Sequence, residues 1–206
     1  MKYKLKVCGM KYADNIKAVA ALKPDYMGFI FYEESKRFVG YLDEEVIGNL
    51  PSSIKKVGVF VNEVIEDILE LHDKYNFDFV QLHGDESPEF CLEMKNFIPV
   101  IKAFSIEENI DFNMLKRYKK SCDYFLFDTQ TASYGGSGKK FNWDLLKKYD
   151  NEIPIFLSGG ISLEDAAQIK KLKEINIHAI DINSRFEKRP GLKDIILIKE
   201  FMNRLK

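Results

Sequence analysis

The sequence has no hydrophobic run long enough to cross a membrane, since no stretch approaches the roughly 18 consecutive apolar residues that a transmembrane helix needs. Residues 1–15 (MKYKLKVCGMKYADN) also lack the apolar segment of about 7 to 15 residues that a secretory signal contains. We therefore expect a cytoplasmic protein that does not act at a membrane.

Cysteine is scarce, with three residues among 206, at positions 8, 91 and 122. The number is odd and no two of them form a Cys-x-x-Cys pair, so the sequence indicates neither a disulfide framework nor a zinc knuckle. This pattern is typical of a reducing compartment, and we expect no metal site.

Neither sign of charge is in excess, because 31 lysine and arginine residues stand against 32 aspartate and glutamate residues. Such a chain has no overall basic field to attract nucleic acid or anionic lipid. We therefore expect no nucleic-acid partner, and an anionic ligand must be held by a local site. With 46% hydrophobic residues, the chain can form the core of one domain, 1–206.

Short apolar segments alternate along the chain with amphipathic segments whose apolar residues recur every three or four positions. The apolar segments predict eight strands, at 5–9, 26–31, 56–61, 78–83, 99–105, 124–129, 154–160 and 178–183. The amphipathic segments predict eight helices, at 13–22, 44–50, 63–75, 87–97, 112–120, 142–150, 162–172 and 192–205. This alternation predicts an α/β protein, a single-domain (β/α)8 (TIM) barrel. An open doubly wound sheet is the alternative.

Two connections, 32–41 (YEESKRFVGY) and 130–141 (QTASYGGSGKKF), are longer than the others. Both follow the carboxyl end of a predicted strand, which is the face on which (β/α)8 barrels carry their chemistry. The extra length therefore indicates a functional site at this face.

Polar side chains occur near the same strand ends, where every second residue points to the same side of the sheet. This spacing makes Lys6 a neighbour of Cys8, and Gln81 a neighbour of His83. An ammonium group beside a thiol favours the thiolate, so we expect Lys6 to lower the pKa of Cys8. A buried structural cysteine is the alternative.

Charged residues on these strands are expected to face the barrel interior and to balance one another: Lys6, Lys102, Asp128 and Asp181. Charges at strand ends of such barrels more often serve catalysis, although simple pairing in a polar core is the alternative. His178, at the start of a strand, is expected to be structural.

A series of motifs runs in order along nearly the whole chain: KVCGM, GFIF followed by SKRFV, FVQLHGDE, LFDTQTASYGGSGKKFNW, LSGGI and DINSRFEKRPGLKD. Together they resemble the phosphoribosylanthranilate isomerase family of tryptophan biosynthesis. The resemblance implies a (β/α)8 barrel that converts N-(5'-phosphoribosyl)anthranilate to 1-(o-carboxyphenylamino)-1-deoxyribulose 5-phosphate by an Amadori rearrangement. It implies no metal and no redox cofactor.

The resemblance implies that Cys8 is the general base and Asp128 the general acid. A base must be deprotonated and an acid protonated when substrate binds, so burial should raise the pKa of Asp128. Arg37 is expected to bind the anthranilate carboxylate, for which its planar guanidinium is suited, with an exposed, solvated arginine as the alternative. Further substrate contacts are expected from His83, for which a core position is the alternative, and from Asp181, Gly135, Gly136 and Gly138, the glycines as a flap.

The substrate phosphate is expected at the loops after the seventh and eighth strands, the usual phosphate site of this fold. Gly159 and Gly160 offer backbone amides just before a helix, and Ser184 and Arg185 follow the last strand. The family usually has Ser-Gly where this chain has Ser184-Arg185. We expect the Arg185 side chain to point outward, with an inward contact to the phosphate as the alternative.

Three other functions stay open at this point. A noncatalytic phosphosugar-binding barrel would keep the glycines without needing Cys8 and Asp128 together. The analogous isomerase of histidine biosynthesis uses paired aspartates and a twofold internal repeat, which this sequence lacks. A cysteine redox or hydrolytic enzyme is the third alternative, but the sequence contains no signal for a resolving cysteine. We expect a small-molecule substrate and a monomer or homodimer.

Overall fold

Eight parallel strands form a closed barrel in a computed structural model that describes residues 3–129 and 140–206. The strands pair in chain order, and the last pairs with the first, with Lys6 opposite Asp181. Closure confirms the predicted (β/α)8 barrel and excludes the open sheet. The strands are β1 (Lys4–Val7), β2 (Tyr26–Ile30), β3 (Lys55–Phe60), β4 (Phe79–Leu82), β5 (Val100–Ile106), β6 (Tyr124–Thr129), β7 (Ile155–Leu157) and β8 (Ile177–Ile182).

Helices cover the outside of the barrel, and none within the described residues is long and apolar enough to span a bilayer. They are α1 (Ala13–Ala20), α2 (Glu44–Gly48), α3 (Ile65–Tyr75), α4 (Pro88–Lys95), α5 (Ala166–Ile169) and α6 (Ile195–Leu205).

Two predicted helices, 112–120 and 142–150, are instead 3-10 helices at Phe112–Tyr118 and Trp143–Lys148. Each is preceded by a side chain, Asp111 or Asn142, that accepts the backbone N–H two residues further on. Such a bond fixes the first turn but does not select the 3-10 form, because Asp43 and Asp194 make the same bond before α2 and α6. Shorter 3-10 helices lie at Leu163–Asp165, before α5, and at Ser184–Phe186.

A short antiparallel hairpin of β9 (Glu187–Arg189) and β10 (Leu192–Lys193) follows β8, in a segment for which the sequence predicts no strand. Its strands are too short to show an alternating pattern. Gly191, in the turn between them, has φ +81°, a conformation that favours glycine.

The apolar core has two layers, one inside the barrel and one between the barrel and its helices. Ile101 and Ala103 belong to the inner layer, so Lys102 between them points outward. There its Nζ lies 3.1 Å from Glu86 Oε2 and donates to the carbonyl of Gly84 at 2.8 Å. The expectation that Lys102 faces the interior is therefore wrong. β5 is apolar on both faces, so the sequence pattern does not fix its orientation.

Aromatic side chains and one histidine close the amino end of the barrel: Tyr26, Phe79, Tyr124, Phe156 and His178. Tyr26 lies edge-on to Phe156, with ring centroids 5.2 Å apart. The hydroxyl of Tyr26 and Nε2 of His178 share a hydrogen bond of 2.7 Å. His178 therefore belongs to the structural floor of the barrel.

This floor makes the stability of the protein sensitive to pH. Burial lowers the pKa of His178 from 6.5 to about 4, and the nearby Lys4 ammonium acts in the same direction. Between these two values the unfolded chain binds a proton that the folded chain does not, so the free energy of unfolding should fall as pH is lowered from 6.5 to 4. Denaturant titrations across this range should show a shallower pH dependence for His178→Gln; parallel curves would contradict the assignment.

Candidate active site

Cys8 lies directly after β1, at the carboxyl end of the barrel, and is 4% exposed. Its N–H donates to the carbonyl of Ile182 at 2.9 Å, which continues the pairing of β1 with β8. Gly28 on β2 makes room for the thiol, because a Cβ there would lie 2.7 Å from Sγ of Cys8. The thiol thus packs against bare backbone at the barrel mouth.

Burial raises the pKa of the Cys8 thiol above its ordinary value. The ammonium groups of Lys6 and Lys193 favour the thiolate, while the carboxylate of Asp181 opposes them. The expected direction of the Lys6 effect is therefore correct, but the expected net lowering of the pKa is wrong. The depth of burial and the pairing of Lys6 with Asp181 decide the outcome, and neither follows from sequence spacing.

A chain of polar side chains crosses the barrel from Lys6. Its fully buried Nζ donates to Oε1 of Gln81 at 2.7 Å and to Oδ2 of Asp181 at 3.0 Å. The amide nitrogen of Gln81 then donates to Nδ1 of His83 at 2.7 Å. Since an amide nitrogen only donates, the neutral His83 ring carries its proton on Nε2, which lies 3.5 Å from Oδ2 of Asp128. His83 therefore lies beside Asp128 at the barrel mouth, with its side chain partly exposed.

The side chain of Asp128 lies at the barrel mouth and is 18% exposed. Its Oδ1 accepts the N–H of Thr129 at 2.8 Å. Gly159, just after β7, lies so close that a Cβ there would overlap Oγ1 of Thr129 and lie 3.3 Å from Oδ1 of Asp128. The φ of Gly159 is +92°, so both its conformation and its surroundings require glycine.

Asp181 lies deeper, on β8, and only one of its two oxygens is bonded. Among the described residues its buried Oδ1 has no hydrogen-bond partner, while Oδ2 accepts from Lys6. Burial raises the pKa of Asp181, although Lys6 opposes this effect. A buried oxygen without a partner costs about 1–3 kcal/mol, which a hydrogen bond from a ligand would offset.

Arg37 lies in the long connection after β2, and its side chain is buried rather than solvated. Nε donates to Oε1 of Glu187 at 3.0 Å, and Nη2 donates to Oε2 at 2.7 Å. The arginine stem packs against Gly9, the residue that follows Cys8, since a Cβ on Gly9 would lie 2.7 Å from Cδ of Arg37.

Two functional candidates were missed by sequence reasoning, Glu187 and Lys193. Lys193 is fully buried, and its Nζ donates to Oε1 of Glu187 and to Oδ1 of Asn183, each at 2.7 Å. The Pro-Gly-x-Lys-Asp motif contains Lys193 and was a usable signal, but its partners could not be read from the sequence.

The predicted phosphate residues lie in the two expected loops. Gly159 and Gly160 both have positive φ, +92° and +61°. Ser184 and the exposed Arg185 belong to the 3-10 helix after β8. The predicted flap glycines, Gly135, Gly136 and Gly138, lie outside the described residues.

A closed (β/α)8 barrel with a thiol, a carboxyl group and an arginine gathered at the carboxyl ends of its strands has the arrangement of a barrel enzyme, since these enzymes carry their chemistry at this face. Residues 5–204 match the family model described as N-(5'phosphoribosyl)anthranilate (PRA) isomerase. The chain therefore belongs to the N-(5'-phosphoribosyl)anthranilate isomerase family, which confirms the resemblance seen in its motifs.

Relatives of the same name cover nearly the whole chain. The N-(5'-phosphoribosyl)anthranilate isomerase of Parabacteroides distasonis is 47% identical over 204 residues, which are 98% of this chain and 92% of that protein. The structure of phosphoribosyl anthranilate isomerase from Thermotoga maritima is 33% identical and has a TM-score of 0.87, with 98% of both chains covered. Another isomerase structure, 30% identical with a TM-score of 0.84 and the same coverage, is in complex with reduced 1-(o-carboxyphenylamino)-1-deoxyribulose 5-phosphate.

Proposed function

We propose that this chain carries out the isomerisation of N-(5'-phosphoribosyl)anthranilate with Cys8 as the general base and Asp128 as the general acid. The isomerase activity and its place in tryptophan biosynthesis follow from the family. The assignment of roles rests on one observation, that both groups lie at the barrel mouth. Cys8 is buried directly after β1, and Asp128, on β6, lies beside His83.

The reaction moves protons without net oxidation. Asp128 gives a proton to the ribose ring oxygen, the bond from that oxygen to C1' breaks, and a cationic Schiff base forms. Cys8 then removes the proton from C2', and the electrons of that C–H bond neutralise the Schiff base to give an enolamine. The enolamine becomes the amino-ketose product when the hydroxyl on C2' loses its proton and C1' gains one. Substrate and product are therefore isomers.

The raised pKa of Cys8 is compatible with this order of steps. Ring opening creates a positive charge on the substrate, and a nearby cation favours the thiolate over the thiol. The same charge makes the C2' hydrogen more acidic. The cations Lys6 and Lys193 act in the same direction, so Cys8 is a stronger candidate for proton removal after ring opening than before it.

The two anionic groups of the substrate are assigned to separate groups of residues at the barrel mouth. Arg37 binds the anthranilate carboxylate, and the backbone amides of Gly159 and Gly160 with Ser184 bind the phosphate. Arg185 is exposed and is expected to point outward. The sugar contacts His83 and Asp181, of which Asp181 has one oxygen without a hydrogen bond among the described residues.

Replacement of Arg37 by alanine should raise KM more than it lowers kcat, because an anchor for the carboxylate contributes to binding before the chemistry begins. Steady-state kinetics with N-(5'-phosphoribosyl)anthranilate measure both constants. The control is Arg204→Ala, which removes an exposed arginine on α6 that pairs with Glu200. Unchanged kinetics for Arg37→Ala would place the carboxylate elsewhere.

The activity itself is tested by following the fluorescence of freshly prepared N-(5'-phosphoribosyl)anthranilate, which the purified protein should consume. Binding of substrate without turnover would indicate a phosphosugar-binding barrel instead. Turnover of the corresponding intermediate of histidine biosynthesis, without turnover of this substrate, would indicate the analogous isomerase.

The family match spans residues 5–204, which supports one catalytic domain, 1–206. We place this domain in the cytoplasm, as the sequence predicts. A related structure from Thermotoga maritima is described as mutually generated monomers of the dimeric isomerase. We expect this chain to be a monomer or homodimer, which size-exclusion chromatography with light scattering distinguishes.

A further inference from the structure

Glu187, at the start of β9, is a carboxylate surrounded by donors, and its side chain is only 3% exposed. Its oxygens accept from Nε and Nη2 of Arg37, from Nζ of Lys193 and from the backbone N–H of Gly191. Burial favours the neutral acid, but the bonds from Arg37 and Lys193 together outweigh it and hold the pKa of Glu187 below its ordinary value. The group is therefore an anion that binds two cations.

The hairpin is built to hold this anion in one place. The backbone N–H of Gly191, in the turn of the hairpin, donates to Oε1 of Glu187 at 3.0 Å. Lys193 ties the other strand of the hairpin to the same oxygen and to Oδ1 of Asn183. Glu187 is thus fixed by its own hairpin independently of Arg37.

The orientation of Arg37 follows from this fixed carboxylate. A guanidinium has two edges that can grip a carboxylate, one formed by Nε and Nη2 and one formed by Nη1 and Nη2. Glu187 occupies the first edge. Among the described residues, no hydrogen bond involves Nη1 of Arg37, so the second edge remains for another carboxylate.

The charge of the cluster agrees with this assignment. Arg37 and Lys193 face one buried carboxylate, which leaves one positive charge in excess when Lys193 is protonated. Burial lowers the pKa of Lys193 to about 8, although Glu187 opposes this effect, so Lys193 is mostly charged at neutral pH. A carboxylate ligand would make the cluster neutral.

We propose that Glu187 is a positioning residue that fixes Arg37 so that its Nη1 and Nη2 edge receives the carboxylate of the substrate beside Cys8. This inference rests on the proposed function, in which Arg37 binds the anthranilate carboxylate. Beyond that function, the inference assigns to Glu187 the preference of the enzyme for a substrate that carries this carboxylate.

The test compares two substrates, N-(5'-phosphoribosyl)anthranilate and N-(5'-phosphoribosyl)aniline, which lacks the carboxylate. The ratio of their kcat/KM values measures the carboxylate preference. We expect Glu187→Gln to lower this ratio by about 10- to 150-fold, the range for loss of one charge-assisted hydrogen bond. Turnover of the aniline compound should change by less than about threefold, and the loss for anthranilate should lie mainly in KM.

Three further variants isolate the effect. Glu187→Asp keeps the charge but shortens the side chain, so it should also lower the ratio. This variant provides the test if Glu187→Gln does not fold. In the Arg37→Ala background, Glu187→Gln should produce no further loss of the ratio, since Glu187 acts through Arg37. Glu86→Gln, the matched control, removes another buried carboxylate paired with a buried lysine and should leave the ratio unchanged.

The outcomes separate this inference from the function on which it rests. A wild-type protein that does not isomerise the anthranilate compound, or does not prefer it, overturns the proposed function and this inference with it. A wild-type preference that persists in Glu187→Asp and Glu187→Gln overturns the inference alone, as does an equal loss with both substrates, which would mark Glu187 as purely structural.

Discussion

Cys8→Ala is expected to lower kcat by at least about 100-fold, the low end of the contribution of a general base. Alanine cannot accept the C2' proton, and no other thiol lies among the residues placed at the barrel mouth, since Cys91 is buried in α4 and Cys122 precedes β6. The small side chain fits beside Gly28, so the fold should survive, which circular dichroism and thermal unfolding would check.

The matched control is Cys91→Ala, which removes a fully buried thiol of α4. It should lower stability through a cavity but leave kcat unchanged. A folded Cys8→Ala protein with near-normal turnover would eliminate the thiol as the base.

Asp128→Asn should also lower kcat by at least about 100-fold. Asparagine has almost the same shape and can still accept the N–H of Thr129 through its oxygen, as Oδ1 of Asp128 does at 2.8 Å, but it has no proton to give to the ring oxygen. The loss should therefore appear in kcat with little change in folding. Single-turnover fluorescence measurements should show that ring opening itself has become slow.

Asp123→Asn provides the control at the other end of the same strand. The carboxylate of Asp123 accepts the N–H of Val100 at 2.9 Å and lies 3.2 Å from Nζ of Lys95. Its replacement should reduce stability and spare catalysis. If Asp128→Asn retained most of its turnover, His83, whose Nε2 faces Asp128, would become the leading candidate for the acid.

The barrel was predictable because its two periodic patterns are strong. The sixth strand, predicted at 124–129, is Tyr124–Thr129. The seventh, predicted at 154–160, is only Ile155–Leu157, because the two glycines that follow have positive φ and turn the chain away. The side of β5 that carries Lys102 could not be predicted, since both faces of that strand are apolar and the orientation depends on packing.

The candidate site also contains residues that the sequence predicts and residues that it does not. Cys8 and Asp128 could be named as candidates because they lie near the ends of predicted strands, and Arg37 because it lies in a long connection after one; the roles of Cys8 and Asp128 came from the family resemblance. Glu187 could not, since its bond to Arg37 joins residues 150 positions apart in sequence through a hairpin too short to show a pattern. The net pKa of Cys8 was also beyond the sequence, because it depends on burial and on charges from other strands.

The aromatic floor of the barrel has a kinetic consequence. Because Tyr26, Tyr124, Phe156 and their neighbours close the amino end, a ligand at the carboxyl ends of the strands has no route through the barrel. Substrate and product must use the same entrance, one after the other. Every turnover therefore includes a period in which retained product blocks the next substrate, and the rate of product departure sets an upper limit on turnover that improved chemistry at Cys8 or Asp128 would not raise.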